Sequence, residues 1–216
     1  MDEFIDEMAK KLKYKVSVII PVYNQEKLIE RAISSVPDRD DIEIVIVNDG
    51  STDKTLDVVK NYIDTHKLNT CLVDLGKNYG VGTAVNAGFD NALGEYMVLL
   101  GSDDHFNTPE FEKALKYLDG TDLVYFNLVV NNGDVWKLTQ ETKKGLCGSV
   151  KFMRRQFVGK IRCPYDKKWA EDYDFYQELL KKNPTEVFTD LNVKFYNYPR
   201  ENSLTQQMFK ANKAKK

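Results

Sequence analysis

Four apolar runs divide the first half of the chain, and each gives way to a polar segment. The runs are KVSVIIP (15–21), IEIVIVN (42–48), TCLVDL (70–75) and EYMVLLG (95–101). The first reads as a buried strand that stops at Pro21, the second, rich in Ile and Val, as a buried parallel strand, and the last two as a shorter third strand and a fourth. Amphipathic stretches separate them. In 26–36, Leu28, Ile29, Ala32, Ile33 and Val36 recur at helical spacing, and in 54–66 Leu56, Val59, Tyr62 and Ile63 share a face. The third stretch, 81–93, is made of small residues that allow a helix to lie close on a sheet. This βαβαβαβ order predicts an α/β fold: a mostly parallel central sheet with helices on both faces. Ligands of such sheets sit beyond the carboxyl ends of the strands. The segments there are PVYN (21–24), NDGSTD (48–53), GKNYG (76–80) and GSDD (101–104), all polar, glycine-bearing or acidic.

The second half is less regular. Residues 108–118 predict a helix with Thr108 as N-cap and Pro109 at the first helical position. Residues 122–132 and 135–140 predict strands joined at an Asn-Asn-Gly turn. Residues 149–158 predict a short helix, 170–182 a longer one that stops before Pro184, and 192–199 a late strand. The chain of 216 residues reads as one domain: 15–104 binding a ligand at the strand ends, 105–200 completing the site, and 201–216 an extension.

At 42% hydrophobic the chain can build a sizeable core, and a net charge of −2 gives no pull toward nucleic acid. Four lysines crowd Lys210–Lys216; a solvated terminus is the simple reading, and weak contact with anionic lipid the sharper one. Three cysteines without paired spacing and two histidines fit a reduced, cytoplasmic setting rather than a disulfide or zinc framework. His105 reads as a solvated loop histidine. The N-terminus has no apolar signal segment, and no apolar run reaches the ~20 residues that span a bilayer.

Three carboxylate groups stand out. Asp49 follows the second strand; Ser51, Thr52 or Asp53 caps the next helix, which leaves Asp49 over, and a hydrogen bond to a nucleobase N–H would use it. Asp103 and Asp104 repel each other unless something positive joins them. With Thr108 and Glu110 serving the next helix, a hard divalent cation that also binds a diphosphate suits the pair. Glu171, Asp172 and Asp174 crowd a helix start, where they complement the helix dipole or supply a general base. The chain lacks GxxxxGK[ST], GxGxxG and GxSxG, so a P-loop, a dinucleotide fingerprint and a nucleophile elbow are absent from the sequence.

In this order, VSVIIPVYNQEKLIERAISSV, EIVIVNDGSTDKT, KNYGVGTAVNAGF, GEYMVLLGSDD, AEDYDF and PRENSLTQ resemble the motifs of the family 2 glycosyltransferases with the GT-A fold, over roughly residues 15–206. The resemblance implies inverting transfer of a sugar from a nucleotide-diphosphate donor, UDP-linked by default, to a hydroxyl of a glycan or cell-surface polymer. It implies that Pro21, Val22, Tyr23, Asp49 and Asn78 contact the nucleotide, and that Asp103 and Asp104 hold Mn²⁺ or Mg²⁺, Asp103 with the ribose. It makes Asp172, beside Glu171, the base, and Arg200 and Ser203 a loop over the diphosphate. Two positions depart from the family pattern: Gly101 stands where relatives often carry an acid, and Val85 where they often carry arginine. Both favour a rival reading, a degenerate nucleotide- or glycan-binding module. A sugar-nucleotide pyrophosphorylase is the other rival, but PVYNQEK lacks the glycine and arginine its loop would need. The acceptor is unread: Tyr125, Phe126, Trp136, Tyr165 and Trp169 stack on sugars or fill the core.

Overall fold

The structure is a computed structural model and describes residues 13–144, 148–165 and 171–198, with Glu171 described by its backbone only. The four apolar runs form β1 (Tyr14–Val22), β2 (Ile42–Asn48), β3 (Thr70–Asp74) and β4 (Gly94–Leu99). All four are parallel, in the spatial order β4-β1-β2-β3. The amphipathic stretches form α1 (Ile29–Ser34), α2 (Thr55–His66) and α3 (Val81–Asn91). The chain steps β1 to β2 to β3 in one direction and returns to β4 on the other side of β1. Right-handed crossovers therefore put α1 and α2 on one face and α3 on the other. The small residues of α3 serve close approach: a Cβ on Gly88 would lie 2.3 Å from Ile19 Cγ2.

Pairing between β1 and β4 ends at Ile19 and Leu99, while β1 stays beside β2 up to Val22. Pro21, which has no N–H, therefore sits where a neighbour on the β4 side is already gone. The gap that opens there is the switch-point crevice where such sheets bind ligands.

Beyond β4, a two-residue β5 (His105–Phe106) precedes α4 (Thr108–Ala114), which tightens into a 3₁₀ turn at Leu115–Tyr117. Thr108 is not the cap. Asn107 holds that position, and the Thr108 hydroxyl instead donates to the Ser35 carbonyl at 2.9 Å. His105 is no solvated loop residue either. It is half-buried, stacks on Phe195 at 4.7 Å, and its imidazole is held below the usual value by burial and by the Arg31 guanidinium.

The run 122–132 is not one strand. It splits into β6 (Leu123–Tyr125) and β7 (Leu128–Val130), which belong to different sheets. The hairpin is present: β8 (Val135–Trp136) pairs antiparallel with β7, with Gly133 at φ 88 in the turn. The helix expected over 149–158 is instead β9 (Lys151–Arg154) followed by one turn, α5 (Arg155–Val158). β9 inserts antiparallel between β4 and β6. It is covered on both faces, with Lys151, Phe152 and Met153 all buried, so the run carries no period that separates strand from helix. The expected helix at 170–182 is α6 (Glu171–Leu180). Then come β10 (Glu186–Phe188), which the sequence pattern does not reveal, and β11 (Lys194–Tyr196). The large sheet runs β10-β6-β9-β4-β1-β2-β3, and β5-β11-β7-β8 make a second, smaller one. One apolar cluster runs through both halves, from Val16 on β1 to Val193 beside β11. Tyr125 and Phe126 are fully buried in it, so both fill the core, whereas Tyr165 is exposed. Among the described residues, no helix is long and apolar enough to cross a membrane.

Candidate active site

The loops after β1 and β2 are laced together. Asn24, at φ 51, accepts at Oδ1 from Thr52 N–H (2.8 Å), and its own N–H donates to Ser51 Oγ (3.0 Å). Gln25 N–H donates to Thr55 Oγ1, Glu26 N–H to Asp53 Oδ2, and Lys54 N–H to Glu26 Oε2. None of Ser51, Thr52 and Asp53 is the cap: Lys54 holds that position without a side-chain cap bond, and Asp53, one residue earlier, accepts from Thr55 N–H at 2.9 Å. The polar residues of 51–55 are thus consumed in fixing two loops, and Tyr23 is left exposed above buried Val22.

Asp49 is buried at the end of β2. Its Oδ1 accepts from Tyr79 N–H (2.7 Å) and its Oδ2 from Gly80 N–H (2.9 Å). Burial raises its carboxyl, with those two bonds pulling the other way. The side chain therefore ties the segment before α3 to β2, and each oxygen keeps a second lone pair for an incoming donor. Asn78 is exposed in that segment.

Asp103 and Asp104 point to different surroundings. Asp103 is half-exposed, and its carbonyl accepts from Arg31 on α1 at 2.5 Å. Asp104 is only 3% exposed. Its Oδ2 lies 2.8 Å from Lys194 Nζ, and its Oδ1 accepts from Asn197 N–H at 2.9 Å. Lys194, itself 1% exposed, also donates to Ser149 Oγ. Lys194 lies on β11 and Asn197 just past its end. The strand is held beside this loop by pairing of Lys194 with Phe106 and Phe195 with His105. The residues do not fit the expected metal: both Asp104 oxygens are engaged, and a divalent ion would sit against an ammonium group. Gly101 is part of the same arrangement. A Cβ there would lie 2.8 Å from Asp104 Oδ2, so any larger residue would crowd the carboxylate in its present place.

Asp172 lies in the first turn of α6, its Oδ1 accepting from Tyr173 N–H at 2.8 Å. With Leu99 at the end of β4, Val85 of α3, Gly148, Ser149, Lys151 and Phe175, it lines a cavity of ≈ 30 Å³. Gly148 approaches so closely that a Cβ would meet Asp172 Oδ2 at 3.0 Å. The Lys151 ammonium donates to the Gly148 carbonyl (3.0 Å) and lies 4.4 Å from the Tyr176 ring centre. Asn86, next to Val85, clamps the other wall: its amide exchanges two 2.8 Å bonds with the Cys163 backbone. The structure thus brings Asp104, Lys194, Ser149 and Asp172 into one connected group, with Asp49 and the 76–80 segment at the neighbouring strand ends. Arg200, Ser203, Trp169 and the basic tail lie outside the described residues, as does the Glu171 side chain.

Sequence reasoning missed Lys151, Lys194, Ser149 and Asn86. A signal for the lysines existed: both stand in a Val-Lys-Phe triplet that opens a strand, where a cation flanked by apolar residues has to find a buried partner.

A mostly parallel sheet with acidic strand ends, joined to a smaller second sheet, is the architecture that this chain shares with solved GT-A transferases. The model of the Glycosyl transferase family 2 matches residues 17–190, and the chain belongs to that family. An uncharacterized glycosyltransferase of Haemophilus influenzae is 31% identical over 183 residues, 77% of this chain and 72% of the relative. The poly(ribitol-phosphate) beta-N-acetylglucosaminyltransferase TarS of Staphylococcus aureus is 36% identical over 110 residues, 49% of this chain and 19% of TarS. The TarS 1–349 structure in complex with UDP-GlcNAc superposes with a TM-score of 0.77 at 26% identity, covering 88% of this chain and 60% of that one. The mannosyltransferase PcManGT of Pyrobaculum calidifontis, solved with GDP-Man and Mn²⁺, shares the fold with a TM-score of 0.72 at 20% identity, covering 97% of this chain and 68% of that one.

Proposed function

We propose that this chain is an inverting transferase that moves a sugar from a UDP-sugar to a hydroxyl of a glycan or surface polymer. The observation that carries the reading is the Asp172 carboxylate, which lines the cavity at the carboxyl end of β4 while Asp49 offers free lone pairs at the end of β2. TarS supports the UDP donor and a polymer acceptor, since it has been solved with UDP and UDP-GlcNAc and is named for poly(ribitol-phosphate). UDP-GlcNAc is therefore the first donor to test.

In the proposed step, Asp49 and the segment 76–80 hold the nucleotide, with Pro21, Val22 and Tyr23 as its first contact and Asn78 beside it. Asp103 takes the ribose, and Arg200 and Ser203 close over the diphosphate. Asp172 accepts the proton of the acceptor hydroxyl as that oxygen bonds to the anomeric carbon. The bond from that carbon to the phosphate oxygen breaks, and its electron pair leaves with the diphosphate. Attack from the opposite face inverts the configuration, through an oxocarbenium-like transition state.

The test is Asp172→Asn, assayed for sugar transfer to a panel of glycans and, separately, for UDP affinity. General-base loss should slow transfer by about 10²–10⁴-fold while UDP binding stays unchanged. Full activity in the variant would remove Asp172 from the role. UDP binding without transfer by the wild-type protein to any acceptor would favour the binding-module reading.

A further inference from the structure

We propose that Lys194 is the resident cation of the paired-acid site. Its ammonium occupies the position at Asp104 that a divalent ion would need, and this chain binds its donor without one. The last clause rests on the donor reading above; the occupancy of Asp104 by Lys194 does not.

Three independent features of the fold converge on this arrangement. First, Asp104 is fully engaged. Oδ2 meets Lys194 at 2.8 Å and Oδ1 accepts from Asn197 at 2.9 Å, so displacing the lysine would also require rebuilding the β11 end. Second, the lysine is positioned, not opportunistic. Pairing of Lys194 with Phe106 and Phe195 with His105, and the bond from Asn107 N–H to the Val193 carbonyl (2.8 Å), lock β11 against the loop that carries Asp104. The Ser149 hydroxyl receives a second ammonium N–H, and with 1% exposure the side chain has no solvent to turn toward. Third, Gly101 leaves the room: a Cβ at 101 would stand 2.8 Å from Asp104 Oδ2 and 3.1 Å from Asp103 Oδ1. The glycine where an acid is common and the lysine across from it therefore answer each other. One carboxylate fewer is matched by a built-in charge of +1 in place of a divalent ion.

The charge arithmetic agrees. Asp104 and Lys194 sum to zero, so the repulsion between Asp103 and Asp104 is relieved within the chain itself. A divalent ion brought within ligand distance of Asp104 would meet an ammonium 2.8 Å from the same oxygen, too close for water to screen the two cations.

The experiment titrates Mn²⁺ into the whole chain, with and without saturating UDP, and follows the electron paramagnetic resonance signal of free Mn²⁺. UDP affinity is measured in parallel by calorimetry in EDTA and in Mn²⁺. Wild-type protein should take up no Mn²⁺ that Asp104→Asn abolishes, and its UDP dissociation constants in EDTA and in Mn²⁺ should agree within about twofold. Lys194→Met, which removes the ammonium from Asp104 Oδ2, should gain Mn²⁺ uptake. Stoichiometric uptake by the wild type that is lost in Asp104→Asn would overturn the proposal, as would a folded Lys194→Met that gains none. Should Lys194→Met fail to fold, the wild-type titration still decides. If UDP and other nucleotides fail to bind under any condition, the donor reading falls, while the Mn²⁺ titration still reports on Lys194.

Discussion

Gly50 and Gly76 allow the cost of one loop contact to be isolated. Both have left-handed backbones, at φ +64 and +72. Around a Cβ built on Gly76 there is nothing within 4 Å, whereas one on Gly50 would lie 2.3 Å from both Cα and C of Lys77 and 2.7 Å from Asn78 N. Gly76→Ala therefore bears only the cost of the backbone conformation. That cost is ~1–2 kcal/mol, less ~0.4–1 kcal/mol regained because alanine restricts the unfolded chain, for a net of about 1. Gly50→Ala adds the collision with backbone that no rotamer change relieves, worth ~1–3 kcal/mol, for a total near 3. At ~2–4 °C per kcal/mol for a chain of this length, Tm should fall by about 2–4 °C in Gly76→Ala and about 6–12 °C in Gly50→Ala. Gly50→Asn tolerates the backbone angle but keeps the Cβ, and should stay close to Gly50→Ala. Urea unfolding and thermal melts give these numbers, and UDP affinity gives the consequence, because pushing 77–78 away also pulls Tyr79 and Gly80 from Asp49. Equal losses at positions 50 and 76, or wild-type stability in the Gly50→Asn variant, would refute the claim that the close approach of 77–78 to Gly50 shapes this edge of the site.

Asp49→Asn keeps the shape but offers one acceptor oxygen to two backbone donors; it should weaken UDP binding and lower stability by ~1–3 kcal/mol, read by calorimetry and urea unfolding. Burial raises the Asp49 carboxyl, so its contribution to stability is present below the unfolded value and lost as pH rises through the folded one, while the ionised acceptor is lost as pH falls through it; the acid limb of UDP affinity should lie above the ordinary aspartate range and vanish in Asp49→Asn. Asp122 is the opposite case: burial pushes it up, but hydrogen bonds from Thr185 and Arg154 outweigh that and hold it low, so its stabilisation is present above the unfolded value of about 3.9 and lost as pH falls through the folded one. Asp122→Asn should cost ~2–3 kcal/mol at neutral pH, discounted for the partly exposed arginine, and should flatten the acid side of the stability profile; an unchanged profile would sink the assignment.

The first half of the fold was legible because β1, β2 and β4 are largely buried and all four strands are bounded by turn residues; β3, at the sheet edge, is only half-buried. Ile42–Asn48 coincides with the expected strand, and α2 and α3 begin within a residue of the spacing that predicts them. In the second half, local pattern loses to tertiary placement. Residues 151–154 become a strand because β4 and β6 leave a slot between them, and 122–130 breaks into two strands because the chain must pass from one sheet to the other. Neither cause lies within the segment itself.

The same division separates what was readable in the site. Asp49, Asp103, Asp104 and Asp172 are visible in sequence because carboxylates at strand ends and at a helix start stand out against apolar runs. What each carboxylate faces is not local: Lys194 lies 90 residues beyond Asp104 and is delivered by a strand that the two residues of β5 hold in register. The repulsion between Asp103 and Asp104 was a sound inference, and so was the need for a positive partner; composition could not choose between a bound ion and a lysine. A lysine embedded in Val-Lys-Phe should prompt a search for a carboxylate left over elsewhere, because burying an ammonium group costs several kcal/mol unless a counter-charge meets it. Lys151 tests that rule within the same chain. Its ammonium is buried by the same triplet and settles on the Gly148 carbonyl and the Tyr176 ring, in the wall of the cavity that Asp172 also lines. Both buried lysines thus reach the short segment Gly148–Ser149, one at each of its residues, and the positive charge of the site is built into strands rather than borrowed from its surface.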